Sequence, residues 1–358
     1  MARSRATFLV ALVVLGCTGD PVGEVPADAG SGGGAGTGGG AARRRRRGAA
    51  GAAGSGGAAG SGGTGGGLTC DGGSPCVVPL VPATGPSSFG IDLDATDVYY
   101  ASGKDVWRLP KLGGAAISIA SGLVGPQHVA VDATHVVFSD GSRRVYVVPK
   151  SGGGKTLLYE ANGSTQIGGV ASDGSYAYYS ETFDTSSYDG TVSRVALGGG
   201  FPEVLAPLTS AGPRGLALDG GFVYVALEIG QSVVKIPVAG GVPVPVASGL
   251  DHAQDVAVSG DWIAWAENSG IGFVAKTGGS QSFASTPGTP AHIAADDAAV
   301  YVTLPASAAL YRAALGGSTA LKLVDDAGSP EDVAVDSAAV YFTNFAAGLP
   351  GSVLAIPK

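Results

Sequence analysis

The chain has 358 residues, of which 62 are glycine and 14% are charged, and its formal net charge at pH 7 is −8. We predict no nucleic-acid partner, because this acidic chain lacks a phosphate-binding positive surface outside five consecutive arginines, Arg43–Arg47. Glycine-rich, low-complexity sequence precedes Leu68, whereas apolar runs separated by turns fill the remainder. This division predicts an unstructured N-terminal segment followed by an all-β domain.

Residues 1–17 have the order of an export signal: arginines, an apolar stretch over 8–15, and small residues. The apolar stretch is too short to span a bilayer. Val14-Leu15-Gly16-Cys17 resembles the lipobox of bacterial lipoproteins, in which the cysteine is lipidated and becomes the first mature residue. The resemblance implies a lipid anchor at Cys17 in the cell envelope of a Gram-negative bacterium, and Thr18 favours the outer membrane or cell surface. An ordinary cleaved signal is the alternative, and both readings predict export.

Residues 18–69 are predicted to form a disordered tether, because Gly, Ala, Ser and Thr offer too little apolar surface to offset the entropy of ordering. Within it, Arg43–Arg47 either rest on anionic lipid or form a solvated charge run. Cys70 and Cys76 delimit a short junction at 70–76. We expect them to form a disulfide, because an exported chain is in an oxidising compartment.

Residues 77–358 repeat one pattern seven times: a short apolar run, a turn and a second apolar run, at a period of about forty residues. The copies begin at Ile91, Val129, Val170, Leu216, Val256, Ile293 and Val333. A third apolar run, a Gly-rich turn and a fourth run follow. Four strands at this period are typical of a propeller blade. The sequence therefore predicts an all-β, seven-bladed β-propeller of four-stranded antiparallel blades.

Tyr341-Phe342-Thr343-Asn344 is close to the YWTD signature, and an Ala-Val-Asp strand recurs across residues 87–358. The repeat resembles the YWTD and NHL-like propeller superfamily. The resemblance implies a propeller fold and, by analogy with YWTD domains, a role in ligand binding.

The last copy ends in a third strand at 352–358, with no fourth strand after it. The segment Val77–Val81, followed by Ala83–Pro86, reads like the fourth strand and exit of a complete repeat. We therefore predict that an N-terminal strand pairs with the last blade and closes the ring, which removes an open edge. The domain is then a single unit, and we expect a monomer.

Six of the seven copies have alanine in the middle of the first strand, where blades converge on the axis and side chains must be small. Asp92 is the exception. Tyrosines recur further out, where we expect them to fill the wider space between blades: Tyr99, Tyr178, Tyr224, Tyr301 and Tyr341.

Polar residues concentrate where the chain enters the first strand of each blade, a position that rings one mouth of the central channel. We predict that they form a ligand-binding rim: Gln127, His128, Arg214, Gln254, Asp255, His292, Glu331 and Asp332. An alternative is a divalent-cation site at His128, Asp255, His292 and Asp332, or acid–base catalysis by the two histidines. The simplest alternative is a wet channel that tolerates polar side chains.

An insertion in the third repeat, Glu181–Gly190, lies between the second and third strands, on the same face as the rim. Binding residues often lie on loops held by a rigid scaffold, so we predict a binding loop with Phe183, Asp184, Tyr188 and Asp189 as contacts. A tolerated surface insertion is the alternative.

These observations predict a surface-anchored, non-enzymatic binding propeller of the bacterial envelope, with a carbohydrate, peptide or protein ligand and no cofactor. No His-Glu-x-x-His or Gly-x-Ser-x-Gly motif is present. Two alternatives stay open: an exported metal-dependent lyase or hydrolase with its site at the channel mouth, and a structural envelope lipoprotein without a small ligand.

Overall fold

The computed structural model describes residues 77–85, 87–141, 143–184, 186–324, 327–346 and 349–358. The predictions for Cys17, the tether, Cys70 and Cys76 lie outside these ranges. Within them the chain forms 28 β-strands and one 3₁₀ turn, Pro305–Ser307. No helix in this described part is long and apolar enough to cross a membrane.

The strands are short and follow one another closely along the chain. In chain order they are β1 (Val78–Gly85), β2 (Ser88–Leu93), β3 (Asp97–Ser102), β4 (Asp105–Pro110), β5 (Ile117–Ala120), β6 (Pro126–Val131), β7 (His135–Asp140), β8 (Arg144–Pro149), β9 (Thr156–Glu160), β10 (Gln166–Ser172), β11 (Tyr176–Thr182), β12 (Gly190–Ala196), β13 (Glu203–Leu208), β14 (Pro213–Asp219), β15 (Phe222–Leu227), β16 (Ser232–Pro237), β17 (Val244–Ser248), β18 (Asp255–Ser259), β19 (Trp262–Glu267), β20 (Gly270–Ala275), β21 (Ser282–Ser285), β22 (Ile293–Ala295), β23 (Ala299–Leu304), β24 (Ala309–Ala314), β25 (Ala320–Val324), β26 (Pro330–Val335), β27 (Ala339–Ala346) and β28 (Leu349–Pro357).

These strands form seven four-stranded antiparallel sheets. Blades 1 to 6 are built from consecutive strands, beginning with β2–β5 and ending with β22–β25, and the first strand of each is innermost. Each innermost strand contacts the innermost strand of the next blade, and β26 of blade 7 contacts β2 of blade 1. The blades therefore make a ring, and the prediction of a seven-bladed β-propeller is confirmed.

The seventh blade combines strands from both ends of the domain. Its order is β26-β27-β28-β1, and β1 pairs antiparallel with β28, with Val78 opposite Ala355. The strand that follows Val77 thus occupies the outer position of the last sheet, beside the final strand of the chain.

The apolar core is divided among the spaces between blades. Buried apolar side chains form seven clusters, and each cluster joins residues of two neighbouring blades. Between blades 1 and 2, for example, Tyr99 and Phe138 are almost completely buried in one cluster. Burying such a side chain contributes roughly 1.5–3 kcal/mol, so the contacts between blades supply much of the stability of the ring.

A polar triad links neighbouring blades at the face where the innermost strands end. Asp94 of blade 1 accepts a hydrogen bond from Tyr99 at 3.0 Å and pairs with Lys150 of blade 2 at 2.8 Å. The Lys150 ammonium also lies 5.5 Å from the centroid of the Tyr99 ring. The same residue types recur as Asp296, Tyr301 and Lys358 and as Asp336, Tyr341 and Lys111. We call this side of the ring the triad face.

Replacing Lys150 by Met is expected to lower the free energy of unfolding by about 1–2 kcal/mol, because it removes the cation from a partly buried ion pair. Burial raises the pKa of Asp94, but Lys150, two backbone N–H groups and Tyr99 outweigh burial and hold that pKa well below its usual range. Urea unfolding would measure the loss. Met at the exposed Lys104 is the control, and equal losses in the two variants would contradict the role of the triad.

Candidate functional site at the channel mouth

The channel along the ring axis is a cavity of about 490 Å³ lined by residues of all seven innermost strands. The predicted small position lines it, with alanine in six blades and Asp92 in blade 1. The Asp92 carboxylate accepts the backbone N–H of Leu93 at 2.8 Å and that of Val131, in blade 2, at 2.7 Å. Burial raises the pKa of Asp92 to about 7, although these hydrogen bonds act to lower it. A titratable carboxyl group therefore lies inside the channel.

β-Bulges place five of the eight rim residues, whereas the innermost strands of blades 5 and 6, which follow or include Gln254, Asp255 and His292, pair without a register shift. In β6, Pro126 pairs with Asp140 but Val129 pairs with Phe138, so the register shifts by one residue across Gln127-His128. The same shift crosses the rim position in β2, β10, β14 and β26. A bulge takes a residue out of the ladder and redirects its side chain. It thus explains how polar groups at the start of a buried strand come to face the mouth.

Two cavities open at this mouth. The acidic pocket has a volume of about 260 Å³ and is lined by Phe89, Gly90, Gln127, His128, His292, Glu331 and Asp332. The amide pocket has a volume of about 660 Å³, and its lining includes Gln127, His128, Gln166, Arg214, Gln254 and His292. Asp255 lines the channel just below. The structure therefore brings all eight predicted rim residues to one mouth, and that they bind a ligand stays a proposal.

His292 lies between carboxylates of the two neighbouring blades. Its Nδ1 is 3.3 Å from Oδ2 of Asp255 and 3.7 Å from Oδ1 of Asp332. Burial alone lowers the pKa of His292, but attraction to Asp332 and the hydrogen bond to Asp255 outweigh burial and raise it to about 9. His292 is therefore an imidazolium at neutral pH.

His128, from blade 2, faces His292 with their ring centroids 6.3 Å apart. Burial and repulsion by His292 lower the pKa of His128 to about 4, against the opposing effects of Asp255 and of a hydrogen bond to the Ile167 backbone. His128 is therefore neutral at pH 7. The mouth holds one neutral and one charged imidazole side by side.

The two aspartates beside His292 also join blades through the backbone. Asp332 accepts the N–H of Val333 at 2.8 Å and that of Ile91, in blade 1, at 3.0 Å. Asp255 accepts N–H groups of its own blade at 2.8 Å and of blade 6 at 3.2 Å. Burial raises the pKa of Asp332, against the attraction of His292. Both carboxylates thus bind backbone donors on the free inner edges of the blades.

Glu331 differs from these aspartates because no residue in the described part of the chain donates a hydrogen bond to its side chain. Burial raises the pKa of Glu331, and Asp332 adds to this effect while His292 opposes it. Glu331 is thus a half-buried carboxylate that faces the acidic pocket without a partner from the described chain.

In the amide pocket, Arg214 is oriented by Glu228, a residue that sequence reasoning missed. The Arg214 guanidinium lies 2.6 Å from Glu228 Oε2, and the side-chain amide of Gln254 donates to Glu228 Oε1 at 3.3 Å. Glu228 directly follows the second strand of blade 4, so its position on the rim face could have been read from the repeat. Phe89 and Gln166 also line the pockets and were also missed by the sequence analysis. Both precede the rim position of their blades, so the repeat could have indicated them too.

The described residues do not form the divalent-cation site that was the alternative for His128, Asp255, His292 and Asp332. Among the described residues, no group of three or more His, Cys, Asp or Glu side chains is arranged to hold a metal ion. The physical reason is that the oxygens of Asp255 and Asp332 already accept backbone N–H groups, and Nδ1 of His292 is directed at these carboxylates.

The connection proposed as a binding loop is shorter than the predicted span. β11 continues through Thr182 and β12 begins at Gly190, so the connection covers 183–189 rather than 181–190. Both ends of the predicted insertion extend the two strands instead. Phe183 is 42% exposed.

The polar groups of this connection hold its own conformation. Asp184 accepts two backbone N–H groups of the following serines, both at 2.7 Å, and Asp189 accepts that of Ser210 at 2.7 Å. The Tyr188 carbonyl accepts two backbone N–H groups from the connection to blade 4. Ligand binding by this loop stays a prediction, and the ring of Phe183 is exposed for such a contact.

Comparison with known proteins gives a fold and no family. No protein-family model and no curated protein sequence matches the chain. YCF48 from Cyanidioschyzon merolae is similar with a TM-score of 0.56 and 14% identity, over 78% of this chain and 98% of that one. A structure of YCF48 bound to D1 peptide has a TM-score of 0.57 and 12% identity, and the match covers 82% of this chain and 99% of that one. Apo AztD from Citrobacter koseri has a TM-score of 0.51 and 14% identity, and the match covers 72% of this chain and 80% of that one. At such identities the similarity shows the fold alone, and the chain is a β-propeller, as the YWTD-like repeat implied.

Proposed function

We propose that this protein is a non-enzymatic binding propeller that holds a peptide segment of a partner protein across the channel mouth. The observation that carries the proposal is the pair of adjoining pockets, one acidic and one rich in amides. They share Gln127, His128 and His292 in their linings. A ligand that spans both meets hydrogen-bonding groups in one pocket and carboxylates in the other.

The chemistry of the two pockets fits a peptide better than a carbohydrate. Glutamine side chains donate and accept hydrogen bonds, as peptide groups do, and three of them line the amide pocket beside Arg214. Carboxylates and an imidazolium line the other pocket. A neutral sugar has no charge to match these groups, whereas a peptide carries both amides and charged side chains.

The comparison with YCF48 gives further support. A protein of similar fold, YCF48, has been solved bound to D1 peptide, so a propeller of this architecture can bind a peptide. The proposal also includes export, a lipid anchor at Cys17 in the outer membrane or at the cell surface, a tether over 18–69, a Cys70–Cys76 disulfide and a monomeric chain.

The test is selection of binding peptides from a random displayed library, with the full chain as bait. Replacing Arg214 and Gln254 together by Ala is expected to weaken binding of the selected peptides at least about tenfold, because two oriented polar groups are lost from the pocket. The matched control is Arg312 and Gln281 together to Ala, both exposed and outside the two pockets. Selection of no peptide, or equal losses in the two double variants, would leave a structural envelope protein as the better account.

A second candidate function is acid–base catalysis, as a lyase or hydrolase. The observation that favours it is the opposite protonation of His292 and His128, since groups whose environments push their pKa values apart suit acid and base roles. A substrate screen with wild type and His292→Gln is the test. A wild-type activity that falls at least about a hundredfold in the variant supports catalysis, and an activity unchanged by the substitution excludes it.

A further inference from the structure

We infer that the acidic pocket is a subsite for an organic monocation, the ammonium or guanidinium group of a basic side chain in the bound peptide. This inference rests on the proposed function, because it names the part of the peptide that enters this pocket. Its evidence is separate and comes from the charged groups of the pocket, from a carboxylate to which no described residue donates, and from a phenylalanine in the lining.

Acidic groups outnumber cations around this pocket. Glu331 and Asp332 line it, and Asp255 lies beside them, whereas the imidazolium of His292 already lies between Asp255 and Asp332, at 3.3 and 3.7 Å. Burial raises the pKa of Glu331 and of Asp332, so a cation bound in the pocket would favour the charged form of both groups.

Glu331 supplies the free acceptor for that cation. No described residue donates to its carboxylate, although the group is half-buried and lines the pocket. Its position is fixed at the backbone, because Thr303 Oγ1 donates to the Glu331 carbonyl at 2.7 Å and the bulge in β26 includes this residue. A half-buried carboxylate gains most from a charged donor, since such hydrogen bonds are the strongest that it can accept.

Phe89 adds one aromatic side chain to the lining of the pocket. Its ring packs against Phe345 with their centroids 5.5 Å apart. A phenyl ring attracts an organic cation and also covers the methylene groups that carry it. A hydrated metal ion gains little from a phenyl ring, and the described residues offer no metal-ligand group.

Two small probes test the subsite on the full chain: Nα-acetyl-lysine methylamide and its norleucine counterpart, which lacks the ammonium group. Both are titrated by NMR, with wild type and Glu331→Gln. The lysine probe is expected to bind wild type at least about fivefold more tightly than the norleucine probe. Glu331→Gln should abolish this preference, because a charge-assisted hydrogen bond is lost. The control Glu203→Gln removes an exposed carboxylate elsewhere and should keep the preference.

Equal binding of the two probes to wild type, or an equal effect of Glu331→Gln and Glu203→Gln, would overturn the inference. The wild-type comparison needs no variant, so it decides even if Glu331→Gln fails to fold. Failure of the proposed function gives a different result. A lysine preference without any selected peptide keeps the subsite and removes the peptide-binding role. Selected peptides that bind without regard to basic residues keep that role and remove the subsite.

Discussion

Gly90→Ala is expected to lower the free energy of unfolding by about 3 kcal/mol or more, at the upper end of overpacking costs. A Cβ at Gly90 would lie 2.1 Å from the carbonyl oxygen of Gln127, 2.8 Å from the nitrogen of Val129 and 2.9 Å from the Cα of His128. All three atoms belong to the backbone of the next blade, so no side-chain rotation relieves the clash. Blades 1 and 2 would have to separate at the mouth.

Urea unfolding measures this effect, and Gly125→Ala is the matched control, because its Cβ would meet nothing within 4 Å. The control is expected to change stability by less than about 0.5 kcal/mol. A loss below about 1 kcal/mol in Gly90→Ala would contradict the close approach of the two innermost strands. The glycine at the rim position of blade 1 is therefore explained by the space that the neighbouring backbone occupies.

The domain is expected to be most stable in mildly acidic solution, near pH 4–6, and to lose stability as the pH rises to 9. The folded pKa of His292, about 9, exceeds the unfolded value of 6.5, so its stabilisation is complete below 6.5 and is lost as the pH rises through 9. Asp92 has a folded pKa of about 7 and an unfolded pKa of 3.8, so its charging destabilises the fold as the pH rises from 3.8 through 7. His128 opposes this effect, because its folded pKa of about 4 is below the unfolded value of 6.5 and its protonation destabilises the fold as the pH falls from 6.5 through 4. The aspartates of the triad face have lowered pKa values, so their stabilisation is lost on acidification.

Two substitutions separate the limbs of this profile. His292→Gln should remove the loss of stability between pH 6.5 and 9. Asp92→Asn should make the protein gain stability as the pH rises from 4 to 6.5, because the opposing effect of His128 is then no longer offset by Asp92. Each of the two titrations is expected to change the free energy of unfolding by about 1–3 kcal/mol, since both side chains keep some contact with water in the channel. Asp255, Asp332, Glu331 and His128 act on the charge of His292, and Asp332 and Lys150 act on that of Asp92.

Denaturant unfolding at four pH values, for wild type and both variants, gives the profile. Equal stability of the wild type at pH 5.5 and pH 9, or profiles that neither substitution alters, would contradict the assigned protonation states.

The number of blades and the place of the rim could be read from the sequence, because both follow from position within the repeat. Alternating apolar runs identify the strands, and residues at equivalent positions must lie at the same height in the ring. That argument placed His128 and His292 at one mouth although 164 residues separate them in the sequence. It also marked Asp92 as an exception, since a carboxyl group replaced the alanine of six other copies.

The charge states and the links between blades could not be read in this way. The pKa of His292 depends on the distances of 3.3 and 3.7 Å from its Nδ1 to carboxylate oxygens in the two neighbouring blades. A repeat pattern shows which residues lie at the same height in the ring, but it does not give the distances between their atoms. The triads have the same limitation. A recurring Asp and a Pro-Lys pair are both visible in the sequence, but nothing local shows that Lys150 reaches the aspartate of the preceding blade. The bulges were missed because they depend on strand pairing.

The course of β1 determines where the preceding chain joins the ring. This strand begins at Val78 opposite Ala355, beside the C-terminal end of β28, and so starts at the triad face. The point of attachment therefore lies on the side of the ring opposite the rim pockets. A fusion or label joined to the ring at Val77 would be attached at a distance from the candidate site.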